Sequence, residues 1–425
     1  MKPRSRFPRI TPQELERLGP LDTSPASSSE LALVLTGGGA RGAYQVGLLR
    51  CLARRFPDLR VPIITGVSAG AVNAAHLASH HGTFPQAVDE LTGLWCELTP
   101  ERVFRADVAS LFWNVARWGF RLVSGGAIPA PAARGLVDTA PLREYLYEAM
   151  ASIEGEITGI DYNLRRGTLK AVAISTTSYT TGQNVVWLQG RDIELWERPN
   201  RKSIKTRIGV HHVMASAALP LMFPAVQIGD QWYGDGGIRL AAPLSPALHL
   251  GARRVLAIST RYDRSRAQAD EHEVAGYPPP AQVLGVLLNS IFLDLVDQDV
   301  MRLERLNRLL ERLPEHERTG LQPVRIVVMR PSQDLSKLAA QFEPRLPKAF
   351  RFMTRGLGSR ETGSPDLLAM MMFQPDYLRA LIELGEADAE QRLDEIVELL
   401  DIEDHAPAGT LPEGEADTEA SPRAS

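Results

Sequence analysis

Apolar residues fall into two rhythms along this chain. Short apolar runs at 31–36 ("LALVLT"), 61–67 ("VPIITGV") and 252–260 ("ARRVLAIST") have the length and content of buried strands. After the first two, Arg41–Phe56 and "AGAVNAAHLASHH" (69–81) space their apolar positions at helical intervals. A strand–helix–strand–helix start predicts an α/β fold with a mainly parallel sheet and helices on its faces. Farther on, "TLKAVAISTT" and "NVVWLQG" read as strands joined by a Thr/Gly-rich turn, and residues 95–150 as mostly helical. "AVQIGDQWYGDGG" (225–237) reads as a hairpin with a Gly-Asp turn, ending at Asp235. From Gln282 to about Leu313 helical spacing predicts one or two long helices, and "PVRIVVM" (323–329) returns to strand. "SPDLLAMMMF" and "PDYLRALIELGEADAEQRLDEIVELL" then read as helices, with the three methionines at 370–372 as core filler.

Composition narrows the classes. At 425 residues and 44% hydrophobic content the chain can bury one large α/β domain or two ordinary ones. A net charge of −4 leaves no basic excess to neutralise phosphates, which weighs against a nucleic-acid partner. Cys51 and Cys96 have no C-x-x-C partner and read as buried thiols, so neither a disulfide nor a metal cluster is expected and a cytoplasmic, reducing compartment is. The basic start "MKPRSRFPRITPQELERLG" lacks the apolar stretch of a secretory signal. Nowhere do about eighteen uncharged apolar residues run together, so no membrane-spanning helix is predicted.

Three motifs carry chemistry. In "LVLTGGGARGAYQVGLLR" (33–50), Gly37, Gly39 and Gly42 have G-x-G-x-x-G spacing at a strand-to-helix turn. A dinucleotide site also needs an acid at the end of the second strand, and Asp58 stands before that strand; a Walker A loop needs Gly-Lys-Ser/Thr, and Ala43 follows Gly42. "GVSAG" (66–70), between strand and helix, matches the G-x-S-x-G elbow that lifts a nucleophile, here Ser68, onto a helix start. Acyl transfer from such a serine needs backbone N–H donors aimed at the developing oxyanion, and a side-chain-free loop supplies them. Gly38 and Gly39 are the candidate donors, with Arg41 holding the loop or adding positive potential. None of His76, His211, His212 and His249 sits in a distinctive local context for a base. Asp235 in "YGDGG" is the sharper candidate, although an isolated Asp-Gly-Gly is usually a turn.

The ordered set GGGARG, GVSAG and DGG, with "ASAALPLMFPAV" (215–226) ahead of the last, resembles the patatin-like phospholipase family. The resemblance implies a three-layer α/β/α sandwich, Ser68 as nucleophile, Asp235 as its base in a Ser–Asp dyad, and an oxyanion loop of Gly37, Gly38, Gly39, Arg41 and Gly42. It implies a phospholipid or other acyl-lipid substrate, with no metal and no cofactor. On this basis residues 1–29 are an N-terminal extension, 30–260 the catalytic core, 261–400 a helical and strand part packed on the same domain, and 401–425 a disordered acidic tail. Two other classes stay open: a nucleotide-binding regulatory module using GGGARG, and a catalytically idle interaction protein. Transient membrane contact is expected through 107–123 ("DVASLFWNVARWGFRLV"). There Asn114, Arg117 and Arg121 form a narrow polar stripe beside a wide apolar arc; a core helix whose arginines reach solvent is the alternative.

Overall fold

Five strands in the order β10-β9-β1-β2-β3 run parallel through the middle of the molecule and carry the site at one end. They are β1 Leu31–Leu35, β2 Ile63–Val67, β3 Ala171–Ser178, β9 Arg254–Ile258 and β10 Arg325–Met329. The sheet continues through β4 (Asn184–Gly190), antiparallel to β3, then β6 (Arg201–Lys205) and β5 (Glu197–Arg198). β7 (Val226–Ile228) and β8 (Gln231–Asp235) form the expected hairpin, turning at Gly229–Asp230. This computed structural model describes residues 9–18, 30–105, 135–265, 268, 270, 277–278, 280–292, 295–346 and 366–401. The segment 107–123, the tail from 402, and all of the N-terminal extension except 9–18 lie outside the described residues.

The burial pattern explains the layers. Every residue of β1 and β2 is buried, as strands covered on both faces must be. Alternation sends Leu31, Leu33 and Leu35 to one core and Ala32 and Val34 to the other. The larger core is closed by the helices Gly42–Arg55, Ala69–Ser79, Phe84–Cys96 and Pro375–Gln391. The smaller one is closed by Ser245–His249 and Leu295–Arg312, through Ala247, Val296, Val300 and Leu303. The result is the three-layer α/β/α sandwich.

Several sequence expectations are refined. The glycine loop passes through a 3-10 turn, Gly39–Arg41, before its helix. The 282–313 pattern is two helices, Pro280–Phe292 and Leu295–Arg312. Both cysteines are free, but only Cys51 is buried; Cys96 ends an amphipathic helix and is half-buried. Met370, Met371 and Met372 are buried as expected.

Candidate active site

β2 leaves the sheet at Val67, and the chain turns sharply at Ser68 into the Ala69–Ser79 helix. Ser68 has φ 56° and ψ −127°, a strained conformation for a residue with a Cβ. Its N–H donates to Ser216 Oγ (2.9 Å), which in turn donates to Ser175 O within β3 (2.6 Å). A serine at a helix N-cap normally caps with its hydroxyl, yet Ser68 makes no such bond. The hydroxyl is left available at the positive end of the helix.

Sheet register explains how Asp235, far away in sequence, arrives beside it. The last β2–β3 pair is Val67↔Ser175. One residue farther along β3, Thr176 pairs with Asp235 of β8. β8 therefore takes over the edge of β3 that β2 vacates by turning at Ser68. Asp235 is anchored by its N–H to Ala218 O (3.1 Å) and by its carbonyl, which accepts from Thr177 Oγ1 (2.8 Å). Its Oδ1 accepts from Gly237 N–H (2.9 Å), while Oδ2 is buried with no hydrogen-bond partner among the described residues. Burial pushes the Asp235 carboxyl up to about 7, with the nearby Ser68 hydroxyl and the Gly237 N–H opposing the rise.

The glycine loop lies against the serine. A Cβ on Gly37 would come within 3.0 Å of Ser68 Cβ. Gly39 has φ +59°, and a Cβ there would strike Met370 O at 2.2 Å, so glycine is required. The N–H groups of Gly37, Gly38 and Gly39 donate to no group among the described residues. Gly42 opens the following helix, packed on Ala69 and Trp95.

Arg41 points away from the serine. It is buried and its Nη2 donates to Asp366 Oδ1 (2.7 Å) and Ser336 Oγ (2.6 Å), and the Ser336 hydroxyl and Asn289 Nδ2 also donate to the Asp366 carboxylate. Of its two expected roles this geometry fits holding the loop. Residues that no motif signalled support the loop from behind. Thr260 Oγ1 donates to Gly37 O (2.6 Å), Gln45 Nε2 to Thr36 O (2.8 Å), Asn73 Nδ2 to Gln45 Oε1 (2.9 Å) and Trp95 Nε1 to Asn73 Oδ1 (2.7 Å).

An apolar cavity begins at Ser68 and Gly39 and runs between helices past Val72, Leu94, Leu146 and Phe223. Met370 and Met371 line it, so these methionines face the site as well as filling the core. His76 is buried against Ala87 O (3.1 Å) and reaches the same cavity. His212 accepts from Gly209 N–H (3.0 Å) as a helix cap, and burial pushes its pKa down to about 3. His249 stacks on Trp196 and bonds within its own helix. Among the described residues no three His, Cys, Asp or Glu side chains converge on a metal-sized site.

A mixed α/β sandwich with a serine on a strand-to-helix elbow defines the class, and comparison gives the family. Residues 33–248 match the patatin-like phospholipase model, and the chain belongs to that family. VipD from Legionella pneumophila is similar in fold: 14% identical, TM-score 0.37, covering 87% of this chain and 67% of that one. Human GIVD cytosolic phospholipase A2, solved in complex with methyl gamma-linolenyl fluorophosphonate, is 13% identical (TM-score 0.41), covering 91% of this chain and 61% of that chain. The type III effector ExoU is 14% identical (TM-score 0.33), covering 88% of this chain and 54% of that one. This chain thus spans about three-fifths of the human enzyme's length and just over half of ExoU's. No curated protein matches it.

Proposed function

We propose that this chain is a serine lipid acyl hydrolase that cleaves carboxylic esters of phospholipids or related acyl lipids through a Ser68–Asp235 dyad. One observation carries the reading: an uncommitted serine hydroxyl on a strained elbow meets a buried carboxylate, a loop of unengaged glycine N–H groups and the mouth of an apolar cavity. Ser68 Oγ attacks the ester carbonyl while its proton passes to Asp235, and the oxyanion rests on the N–H groups of Gly38 and Gly39. The alcohol leaves with the proton from Asp235, giving an acyl-Ser68 ester. Asp235 then deprotonates a water that attacks this ester, and Ser68 is regenerated as the fatty acid departs. A carboxylate of ordinary pKa would be a weak base for a serine; burial raises the basicity of this one.

Such an enzyme must meet its substrate at a membrane surface, and no helix among the described residues is long and apolar enough to cross one. Transient contact from the cytoplasmic side fits the free cysteines and the Leu295–Arg312 helix. That helix exposes Met301 and Leu309 among Arg302, Arg305, Arg308 and Arg312, a face suited to anionic lipid. The decisive test of the reading is labelling by a serine-directed fluorophosphonate. Wild type should label and Ser68→Ala should not; equal labelling of both removes Ser68 from the chemistry.

A further inference from the structure

Two cavities share one wall. The apolar cavity follows the Ala69–Ser79 helix from its first residue, with Ala69, Val72 and His76 lining it along one face. At its inner end stand His76, Ala149 and Met150, and the same three residues line a second cavity beyond. All three are almost completely buried. The second cavity differs in chemistry: it holds His80, whose Nε2 lies 3.3 Å from Glu90 Oε2, and the buried Thr158 hydroxyl, which has no hydrogen-bond partner among the described residues.

We propose that His76, Ala149 and Met150 form the stop of an acyl-chain pocket, so that the enzyme selects medium-length chains of about eight to ten carbons. The proposal rests on the hydrolase reading above and adds its substrate selectivity. The length follows from geometry. Seven residues of helix separate Ala69 from His76, a rise of about 10 Å, and an extended chain advances roughly 1.2 Å per bond. The lining is suited to methylenes. Trp95 and Tyr145 turn their polar tips outward, to Asn73 Oδ1 and Leu94 O. His76 is pinned through Nε2 to Ala87 O, and burial holds its pKa at about 4, so a neutral ring meets the chain terminus. Past the wall a methylene would have to pack against the polar His80–Glu90 pair and the Thr158 hydroxyl, which stops longer chains energetically as well as sterically.

Soluble p-nitrophenyl esters from butyrate to palmitate test the stop in wild type, Met150→Ala and Ala149→Leu. In wild type kcat/KM should climb by up to about fourfold per methylene while the pocket still covers the chain, then cease to climb near decanoate. Met150→Ala should move that break to longer chains, raising the myristate-to-octanoate ratio by about tenfold or more, the worth of roughly two newly buried methylenes. Ala149→Leu should move it to shorter ones. A binding arm needs no catalysis: decanoate should displace a fluorescent fatty acid from Ser68→Ala more strongly than palmitate does. A wild-type profile that climbs smoothly to palmitate overturns the stop, as does a break that stays put in both variants with melting temperatures retained. Graded fatty-acid binding without any ester hydrolysis would instead sink the hydrolase reading and leave the stop standing.

Discussion

At the scale of single residues the proposed site joins a serine held under strain to an aspartate held out of water. Ser68→Ala and Asp235→Asn should each abolish hydrolysis of a short p-nitrophenyl ester with the far-UV circular dichroism unchanged. His212→Ala and His249→Ala should keep substantial activity, since those rings are engaged in a cap and a stack; loss of activity in either, with fold intact, would replace the dyad by a triad. The aspartate also sets a pH dependence. Only its deprotonated form accepts the serine proton, so kcat/KM should rise with pH through about 7 and level off above. Stability runs the other way. The carboxyl titrates at about 7 in the folded chain against an ordinary 3.8, so its stabilising contribution is full below 3.8 and is lost as pH rises through about 7. Asp235→Asn should therefore be inactive yet more stable than wild type at pH 8, by a few kcal/mol at most and on the order of nothing at low pH. Equal urea midpoints of the two proteins at pH 8 would show that the charge is not buried at a cost.

At the scale of elements, the glycine loop is fastened to the C-terminal segment. Arg41 leaves the loop, and Asp366 begins the helix Asp366–Met371 that presses Met370 O onto Gly39. Removing one partner of such a buried pair strands the other charge, at a cost of about 3–5 kcal/mol. Arg41→Ala should lose stability on that scale in urea denaturation, and Asp366→Ala similarly. The double variant should fall well short of the sum, since neither charge then remains unpaired. Where Arg41→Ala folds, its kcat should fall by no more than about 10²–10³, the effect of losing one oxyanion donor. An unchanged stability would detach the pair from the support of the loop.

At the scale of the molecule, residues beyond 260 contribute to the central sheet and the main core. β10 extends the sheet beyond β9. The Pro375–Gln391 helix packs on Gly42–Arg55, with backbones approaching at Gly47 and Gly385 and Tyr44 Oη donating to Asp388 (3.0 Å). A chain ended at Gln374 should fail to fold, because it would uncover that core. A chain ended just before His405 should keep its melting temperature and its soluble-ester activity; a drop of several degrees would give the acidic tail a structural role. Membrane contact is also tested on the whole protein. Co-sedimentation with anionic vesicles should weaken in Arg305→Glu/Arg308→Glu and in Trp113→Ala/Trp118→Ala, with soluble-ester hydrolysis retained. Binding unchanged in both would remove these segments from the lipid interface.

The sequence by itself determined what is local. Apolar runs and helical spacing are short-range properties, so β1, β2, β9, β10 and the helices between them were legible in it, as was the Gly229–Asp230 hairpin. The elbow at Ser68 and the bare loop at 37–39 were legible for the same reason: backbone geometry that tight restricts the residue types within five or six positions. Only the tertiary structure decided what depends on register and packing. Asp235 sits beside Ser68 because β8 pairs with β3 where β2 departs, a coincidence of strand lengths that no local pattern records. The same is true of Arg41, whose partner lies 325 residues away. It is true again of Met370 and His76, whose apolar and helical settings read as plain core until the cavity beside them is seen. Burial is a property of the assembled fold, so the Asp235 carboxyl, which would titrate as an ordinary acid in the unfolded chain, is pushed up to about 7 only once the sheet closes around it.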